Sequence, residues 1–278
     1  MGFQKLFSFF CLLSITNLVA FAQRPCSEAV SGNKAFKSGE ELVYKISYNW
    51  GPFWVNAGSV TFTVDLVEYY GKKVYHFTGS GGTFPQYDWF YRVRDNYEAW
   101  ADTSLLGSIH FKRQVEEGTQ YTYNDYTFNH FRNKIYSFIR QNNGPLKRDS
   151  LHFQPCAMDV LTAIYYSRNM TFFNLASIGD TAQIPLVLDN KIFPVRLRYL
   201  GKSKYDTEKF GQFRCIRFMP QLLEGTIFKG GEGMVVWASD DGNHIPLLVE
   251  TPIIVGSIKA RLESHKNLRN KMDARIGD

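Results

Sequence analysis

The chain has 278 residues, of which 44% are hydrophobic and 16% aromatic, and it carries a formal charge of +6 at pH 7. This apolar content is enough to build a core and excludes a disordered protein. The charges are dispersed, without a long block of one sign, which argues against a nucleic-acid-binding protein. We therefore expect no nucleic-acid partner.

The first 22 residues have the pattern of a secretory signal peptide. Lys5 supplies the positive charge, an apolar run continues to Val19, and Ala20-Phe21-Ala22 forms a small-x-small cleavage site. The run is too short for a membrane span, so we expect no transmembrane segment after cleavage. The sequence thus predicts a secreted protein.

Three cysteines remain after cleavage, Cys26, Cys156 and Cys215. An oxidising compartment permits one bridge, and three pairings are open. We favour Cys26 with Cys156, because Cys215 lies inside a predicted strand, where a small apolar side chain fits a core.

Residues 23–38 are predicted to be an irregular lead-in to one β domain over 39–262. On either side of a connection at 51–58, apolar and polar residues alternate, as is typical of antiparallel strands with one buried face. The connection itself is apolar. It is either tucked over the end of a barrel or exposed for a purpose, and burial is the commoner outcome for such side chains.

Further strands joined by short turns are predicted to residue 139 and again from 181 to 262, with Gly79-Ser80-Gly81-Gly82 ending the third strand. Residues 156–168 have helical spacing instead and predict a helix of about 13 residues, packed against the sheet or plugging its open end. The expected fold is therefore mainly β, a single antiparallel β-barrel or strongly curved half-barrel with one packed helix. Residues 263–278 are predicted to be a charged tail that frays.

The sequence indicates no catalytic, metal or cofactor site. Its six histidines are scattered, and no G-x-S-x-G elbow is present. The turn Asp240-Asp241-Gly242-Asn243 lacks the distal Glu of a calcium loop and suits a tight turn. The neighbouring acids Glu40-Glu41 and Glu116-Glu117 point to opposite faces, which is a poor geometry for a two-carboxylate hydrolase. An enzyme is unsupported, and we expect no cofactor.

The aromatic residues are the positive indication of function. They cluster at 44–54 and 84–91. Either they fill the core of a solid barrel, or they line a mouth that takes a lipid, a glycan or another amphipathic small molecule. Aromatic content alone leaves both interpretations open. The candidate ligand contacts are Tyr48, Trp50, Phe53, Trp54 and Trp89.

Several short motifs resemble an exported bacterial family, domain of unknown function 3108. The resemblance extends over about 36–262 and implies a long curved antiparallel sheet around a helix or an apolar cavity, with no catalytic residue to transfer. The segment Gln154-Pro155-Cys156-Ala157-Met158-Asp159-Val160-Leu161 is similar to the Bacteroidetes version. The other motifs are Gly39-Glu40-Glu41-Leu42-Val43-Tyr44, Ala57-Gly58, Trp237-Ala238-Ser239-Asp240-Asp241, Ile245-Pro246 and Gly256-Ser257-Ile258-Lys259-Ala260.

Together with the signal peptide, the resemblance to a bacterial family implies secretion across the inner membrane of a Gram-negative cell, to the periplasm or envelope. The leading functional hypothesis is a non-enzymatic envelope protein that binds a hydrophobic or amphipathic ligand. The first alternative is a structural or assembly factor whose aromatic loop contacts an envelope protein partner. The second is a hydrolase with an unrecognised site. A hollow interior favours the first hypothesis, and acids that converge in a cleft favour the hydrolase.

Overall fold

The alternation that opens the domain forms two long paired strands. The computed structural model describes residues 30, 32–50, 53–153, 156–171, 176–222, 231–252 and 256–277. In it β1 (Glu40–Trp50) pairs antiparallel with β2 (Phe53–Tyr69). The expectation of a loop through residue 58 is wrong from Phe53 onward, because these residues extend the ladder as far as Trp50. The predicted signal peptide and Cys26 lie outside the described residues.

The remaining strands follow in two meanders separated by one helix and its flanking irregular segments. Residues Pro85–Tyr87 form a short 3-10 turn. The elements in chain order are β3 (Lys72–Thr83), β4 (Val93–Asp102), β5 (Ser108–Glu117), β6 (Gln120–Asn129), β7 (Lys134–Gln141), β8 (Lys147–His152), α1 (Val160–Ser167), β9 (Thr181–Leu188), β10 (Lys191–Thr207), β11 (Gly211–Leu222), β12 (Gly231–Glu232), β13 (Val235–Ser239), β14 (Pro246–Pro252), β15 (Ser257–Lys266) and β16 (Arg275–Ile276).

Fourteen of the strands form one continuous path in the order β8-β7-β6-β5-β4-β3-β2-β1-β15-β14-β13-β11-β10-β9, and β12 and β16 pair beside it with β11. The β1–β15 ladder joins the two halves of the chain. Within the described residues the two ends of the path, β8 and β9, do not pair, so the sheet is not closed. The expected mainly antiparallel half-barrel with one packed helix is confirmed.

Side chains of the β9–β10 turn, rather than a strand ladder, connect the two arms of the sheet. The Asn190 side chain accepts a hydrogen bond from Ser137 Oγ (2.9 Å) and donates to Asp149 (2.6 Å). Its backbone N–H donates to the Tyr126 hydroxyl (3.2 Å). Both turn residues, Asp189 and Asn190, have positive φ, a conformation that Asn and Asp tolerate better than most residues.

The run Gly79-Ser80-Gly81-Gly82 does not end β3, as predicted, but pairs with β2 on one side and β4 on the other. Glycine is needed there because neighbouring side chains leave little room for a Cβ atom, and not because the chain turns. A Cβ on Gly79 would lie 3.1 Å from the ring of Phe62, and one on Gly81 would lie 2.7 Å from Val60. The glycines therefore let apolar side chains of β2 lie directly over the β3 backbone.

Helix α1 packs its apolar face into the half-barrel against β3, β4 and β9. Tyr165 stacks on Phe77 with ring centroids 4.1 Å apart and meets Phe36 edge-on at 5.0 Å. All three rings are buried. Burial of each such side chain stabilises the fold by roughly 1.5–3 kcal/mol, so the lead-in that carries Phe36 belongs to the core although it forms no strand.

The helix is shorter than predicted because Asp159 starts it. The Asp159 carboxylate accepts hydrogen bonds from Thr162 N (2.8 Å), Thr162 Oγ1 (2.7 Å) and Ser108 Oγ (2.5 Å). This is an N-cap, which requires extended backbone at the capping residue. Just before it, Met158 bridges to Leu186 of β9, so residues 156–159 are not helical.

The C-terminal end of α1 is held by a buried ion pair. The guanidinium of Arg168 binds Glu40 at the start of β1 through both nitrogens, with Nη1–Oε1 2.6 Å and Nη2–Oε2 3.0 Å. It also donates to the carbonyls of Asn243 (3.0 Å) and Ala35 (3.3 Å). Burial alone would lower the pKa of Arg168, but the Glu40 carboxylate raises it. Arg168 thus connects four segments of the chain: the end of α1, the start of β1, the lead-in and the residues around Asn243.

The C-terminal residues pack against the sheet instead of fraying. Strand β15 continues to Lys266, and β16 pairs with β11. Ala274 is fully buried in a second apolar cluster with Phe213, Cys215 and Leu262. The prediction for 263–278 missed this because a charged segment can anchor through a few buried positions and backbone hydrogen bonds.

Loss of one partner of the Arg168–Glu40 pair is expected to be costly. Arg168→Met should lower the free energy of unfolding by about 3–5 kcal/mol, because it leaves the Glu40 carboxylate buried without its cation. Urea unfolding at pH 7 measures the loss. The double variant Arg168→Met/Glu40→Leu should lose less than the sum of the two single variants.

The exposed pair between Lys266 and Glu41, 2.8 Å apart, provides the matched control. Lys266→Met should change stability by less than about 1 kcal/mol. Equal losses from the buried and the exposed pair would contradict the role assigned to Arg168.

Candidate functional site

Three connections meet at one end of the sheet and define what we call the mouth: the β1–β2 hairpin, residues 84–92 between β3 and β4, and the β5–β6 hairpin. The registers Gly58–Thr83 and Val93–Glu117 bring them to the same end. The segment 84–92 is braced by Asp88, which binds Arg94 through both oxygens at 2.6 and 3.1 Å. The segment 84–92 is therefore fixed to the start of β4.

The predicted aromatic residues divide between the two faces of the sheet. Tyr48 lies across from Val55, and Trp50 from Phe53, on β1 and β2; the Trp50 side chain lies outside the described part of the chain. Phe53 is 72% exposed and Trp89 is 83% exposed. The expectation that the connection is tucked over the barrel end is thus wrong for Phe53, and neither residue is part of the core.

Trp54 is on the outer face, away from the other candidates. Its ring lies 4.3 Å from Lys259 Nζ and 5.9 Å from the Arg261 guanidinium. The β1–β2 register shifts between Ile46 and Ser47, and such a bulge reverses the alternation of side chains beyond it. Trp54 therefore lies on the opposite face from Phe53, and its role as a ligand contact stays a prediction.

Just inside the mouth, the inner face carries polar side chains where the pattern calls for apolar ones. Tyr97 pairs with Arg113, Val93 with Glu117, and Asp95 occupies the same face between them. Across the next ladder Arg113 pairs with Asn124. We call Asp95, Tyr97, Arg113, Glu117 and Asn124 the inner polar cluster.

Arg113 links this cluster to the turn that joins the two arms of the sheet. Its Nε donates to Asn124 Oδ1 (3.0 Å) and its Nη2 to Asp189 Oδ1 (2.6 Å). A guanidinium has five N–H donors. Three donors of Arg113 are therefore left without a protein acceptor among the described residues.

Asp95 has hydrogen-bonding capacity that the protein does not use. Its Oδ1 is shielded from solvent and has no hydrogen-bond partner within the described part of the chain. Burial, followed by the negative charge of Glu117, raises the pKa of Asp95 to about 7. Burial also raises the pKa of Glu117 and, together with the charge of Asp95, that of Tyr97. A buried acceptor without a partner costs about 1–3 kcal/mol.

A second polar group, on the outer face, has its hydrogen bonds satisfied within the protein. His110 Nδ1 bonds the Tyr69 hydroxyl (2.6 Å) and its Nε2 bonds Asp125 (2.7 Å). Trp100 stacks between His76 and His110, with centroids 4.6 and 5.0 Å away. Both ring nitrogens of His110 already have partners, so we interpret this group as a set of cross-strand side-chain contacts that stabilises the sheet.

The described residues contain no cluster of three His, Cys, Asp or Glu side chains able to hold a metal ion. None of the helices in the same part of the chain is long and apolar enough to cross a membrane. Cys156 is disulfide-bonded, and Cys215 is a free, buried thiol whose pKa burial raises to about 12. The partner of Cys156 lies outside the described residues, and the Cys26–Cys156 bridge stays a prediction.

The sequence interpretation missed the inner polar cluster although a pattern indicated it. Arg113 is in phase with Phe111 and Val115, and Asp95 is in phase with Ala99. A charged residue at an inward position of a strand is uncommon unless it is paired or functional. The inward position of these charged residues in the alternating pattern could have indicated the cluster, whereas no sequence motif did.

Comparison with known proteins supports the fold and leaves the chemistry open. A family model described as protein of unknown function (DUF3108) matches residues 43–263. None of the curated proteins matches the chain. The crystal structure of a β-barrel-like protein of domain of unknown function DUF1849 from Brucella abortus is similar in fold, with a TM-score of 0.53 and 8% identity over 86% of this chain and 99% of that one.

The pKa of Asp95 predicts how stability depends on pH. The folded state holds this proton up to about pH 7, whereas the usual value for the carboxyl is 3.8. The free energy of unfolding should therefore fall as pH rises from about 4 to about 7, by an amount on the order of 1–2 kcal/mol after allowance for solvent screening. Urea unfolding at pH 5 and pH 8 measures the fall.

Asp95→Asn should remove the part of this dependence that Asp95 contributes and stabilise the protein at pH 8, while Asp159, whose pKa burial also raises, keeps its own part. The charged and titratable groups that face Asp95 are Glu117, Arg113, Tyr97 and Tyr91, and of these Glu117 should keep a smaller dependence. Asp65→Asn, at an exposed position on β2, should leave the wild-type slope intact. An unchanged slope in Asp95→Asn would refute the assignment.

Proposed function

This chain belongs to the DUF3108 family, and we propose that it is a non-enzymatic binding protein of the bacterial periplasm or envelope. Its ligand in this proposal is a lipid- or glycan-like amphipathic molecule that enters the half-barrel at the mouth. The pattern of residues 1–22 supports export.

The observation that carries the proposal is the unused hydrogen-bonding capacity of the inner polar cluster. Asp95 contributes an acceptor shielded from solvent and without a partner, and Arg113 retains donors beyond its bonds to Asn124 and Asp189. Buried polar groups in folded proteins are nearly always satisfied. A ligand group with donors and acceptors of its own would supply the missing partners.

The surroundings of the cluster fit the apolar part of such a ligand. Phe53 and Trp89 are exposed at the mouth, and Tyr97 packs against the main apolar core. Binding sites for amphipathic molecules combine a mostly apolar lining with a few polar groups that fix orientation. In this arrangement the polar end meets Arg113 and Asp95, and the apolar part meets the rings.

One observation favours a second function. Asp95 and Glu117 lie on the same face, and burial raises the pKa of each, to about 7 for Asp95. A carboxylic acid that titrates near neutral pH beside a second carboxylate suits general acid–base catalysis of hydrolysis. This candidate ranks second because it requires both acids to act on one bond, whereas the binding proposal requires only that a ligand be held.

Ligand retention tests the binding proposal. The protein is purified from its native envelope, and its mass is recorded by native mass spectrometry before and after organic extraction. We expect an extra mass that extraction removes. Arg113→Met, and separately Phe53→Ser/Trp89→Ser, should lower the occupied fraction roughly tenfold, because each removes a central contact.

Trp54→Ser is the matched control, since it removes an aromatic ring from the outer face and should leave retention unchanged. The double variant at the mouth alters only exposed side chains, so its melting temperature should match the wild type. A bare mass for the wild-type protein would refute the proposal and favour the assembly factor. Turnover of an envelope ester or glycoside that Glu117→Gln abolishes would favour the hydrolase.

A further inference from the structure

The end of the sheet opposite the mouth carries three exposed apolar side chains, one at the tip of each of three hairpins. Tyr70 lies in the β2–β3 turn, Leu105 in the β4–β5 connection and Phe131 in the β6–β7 turn. Their exposed fractions are 90%, 62% and 95%. We call these three residues the tip row.

The sheet order sets the spacing of the tip row. The strands β2 to β7 are consecutive neighbours, so successive tips are two strand spacings, or about 10 Å, apart. The three side chains are therefore spread over about 20 Å along one end of the sheet. A single exposed apolar residue is ordinary. Here three successive hairpin tips each carry one, and this regularity calls for an explanation.

Tyr70 is held at its tip in a conformation that disfavours it. It has φ 49° and is followed by Gly71 at φ 76°, the positive values of a tight hairpin turn in which Asn or Asp normally takes the first place. An aromatic residue there stores strain that Asn would relieve. The Tyr70 ring meets Tyr69 edge-on, with centroids 4.6 Å apart, and the rest of it is exposed.

Leu105 is directed outward by a rigid loop. The Asp102 carboxylate accepts hydrogen bonds from the backbone N–H groups of Ser104 (2.9 Å), Leu105 (2.7 Å) and Gly107 (2.6 Å). The next residue, Leu106, is fully buried. The loop therefore buries one leucine and presents the other to solvent.

Basic side chains surround the tip row. Lys72 and Lys73 follow the first tip and are exposed, and Arg132 and Lys134 follow the third. Lys34 is exposed on the lead-in, which bonds to the β4–β5 connection through Gly32 and Ser104. The acids next to the three tips in the chain are Glu68 and Asp102, and Asp102 is engaged in its loop. Farther along the same end, Asp240 bonds Lys202 and Asp241 bonds Ser239. The local charge is positive.

We propose that the tip row docks the protein on the surface of a lipid bilayer that contains anionic lipids, with the tip side chains entering the interface. Side chains of this kind insert shallowly among lipid headgroups, and lysine or arginine beside them is attracted to anionic lipid. A protein partner fits less well, because a stable interface needs a contiguous patch of about 800 Å² on each side. Three separate tips with charged residues around them do not form such a patch.

Vesicle binding tests this proposal independently of the ligand at the mouth. The purified protein is sedimented with vesicles of pure POPC and of POPC with POPG at three to one. We expect binding to the POPG vesicles that weakens as salt is raised. The variant Tyr70→Asn/Leu105→Ser/Phe131→Ser should partition at least tenfold more weakly, while Lys72→Gln/Lys73→Gln/Arg132→Gln should lose the preference for POPG.

The matched control is Leu146→Ser/Ile178→Ser, which removes two exposed apolar side chains outside both the tip row and the three connections of the mouth, and it should bind vesicles as the wild type does. All altered side chains of the tip row are exposed. Tyr70→Asn loses the contact with Tyr69 but suits its turn, so the melting temperature should change little. Failure of the wild-type protein to bind POPG vesicles, or equal binding by the tip variant, would overturn the proposal.

Discussion

The fold depends on the buried pair of Arg168 and Glu40. A helix of eight residues is marginal by itself, and α1 is stable because both its ends are fixed. Asp159 caps its start against β5, and Arg168 fastens its end to β1, the lead-in and Asn243. A buried guanidinium must keep all these partners, so their positions are set together. The rings of Phe36, Phe77 and Tyr165 then fill this part of the half-barrel.

Two ionisable groups on the inner side of the sheet, Arg168 and the partly buried Asp95, have opposite surroundings. Arg168 has its charge matched by Glu40, and four of its hydrogen bonds go to acceptors within the protein. Asp95 keeps an oxygen without a partner, in a half-barrel whose sheet is not closed. The same low dielectric that strengthens the first arrangement makes the second costly. Evolution tolerates such a cost mainly where a site uses it, which is why the inner polar cluster, rather than the aromatic content, carries the functional argument.

The sequence predicted more of the fold than of the candidate site. Period-2 alternation in Leu42, Tyr44 and Val64 correctly indicated long strands with one buried face, because burial acts on each strand separately. The site required the phase of that alternation to be followed exactly through irregularities. One register shift in the β1–β2 ladder moved Trp54 to the outer face. The alternation of its strand places Arg113 on the inner face together with Phe111 and Val115. Its link to the β9–β10 turn depends on Asp189, however, which is 76 residues away in the chain.

The sequence by itself determined the fold class, the strand-rich halves and the presence of one helix, since these follow from local periodicity and turn chemistry. Tertiary structure decided where the helix starts, because the cap of Asp159 needs Ser108 from another strand. It also decided that Gly79 and Gly81 belong inside β3, and that the C-terminal residues are anchored through Ala274. These outcomes depend on contacts between distant segments, and the free energy of such a contact is not a property of either segment alone.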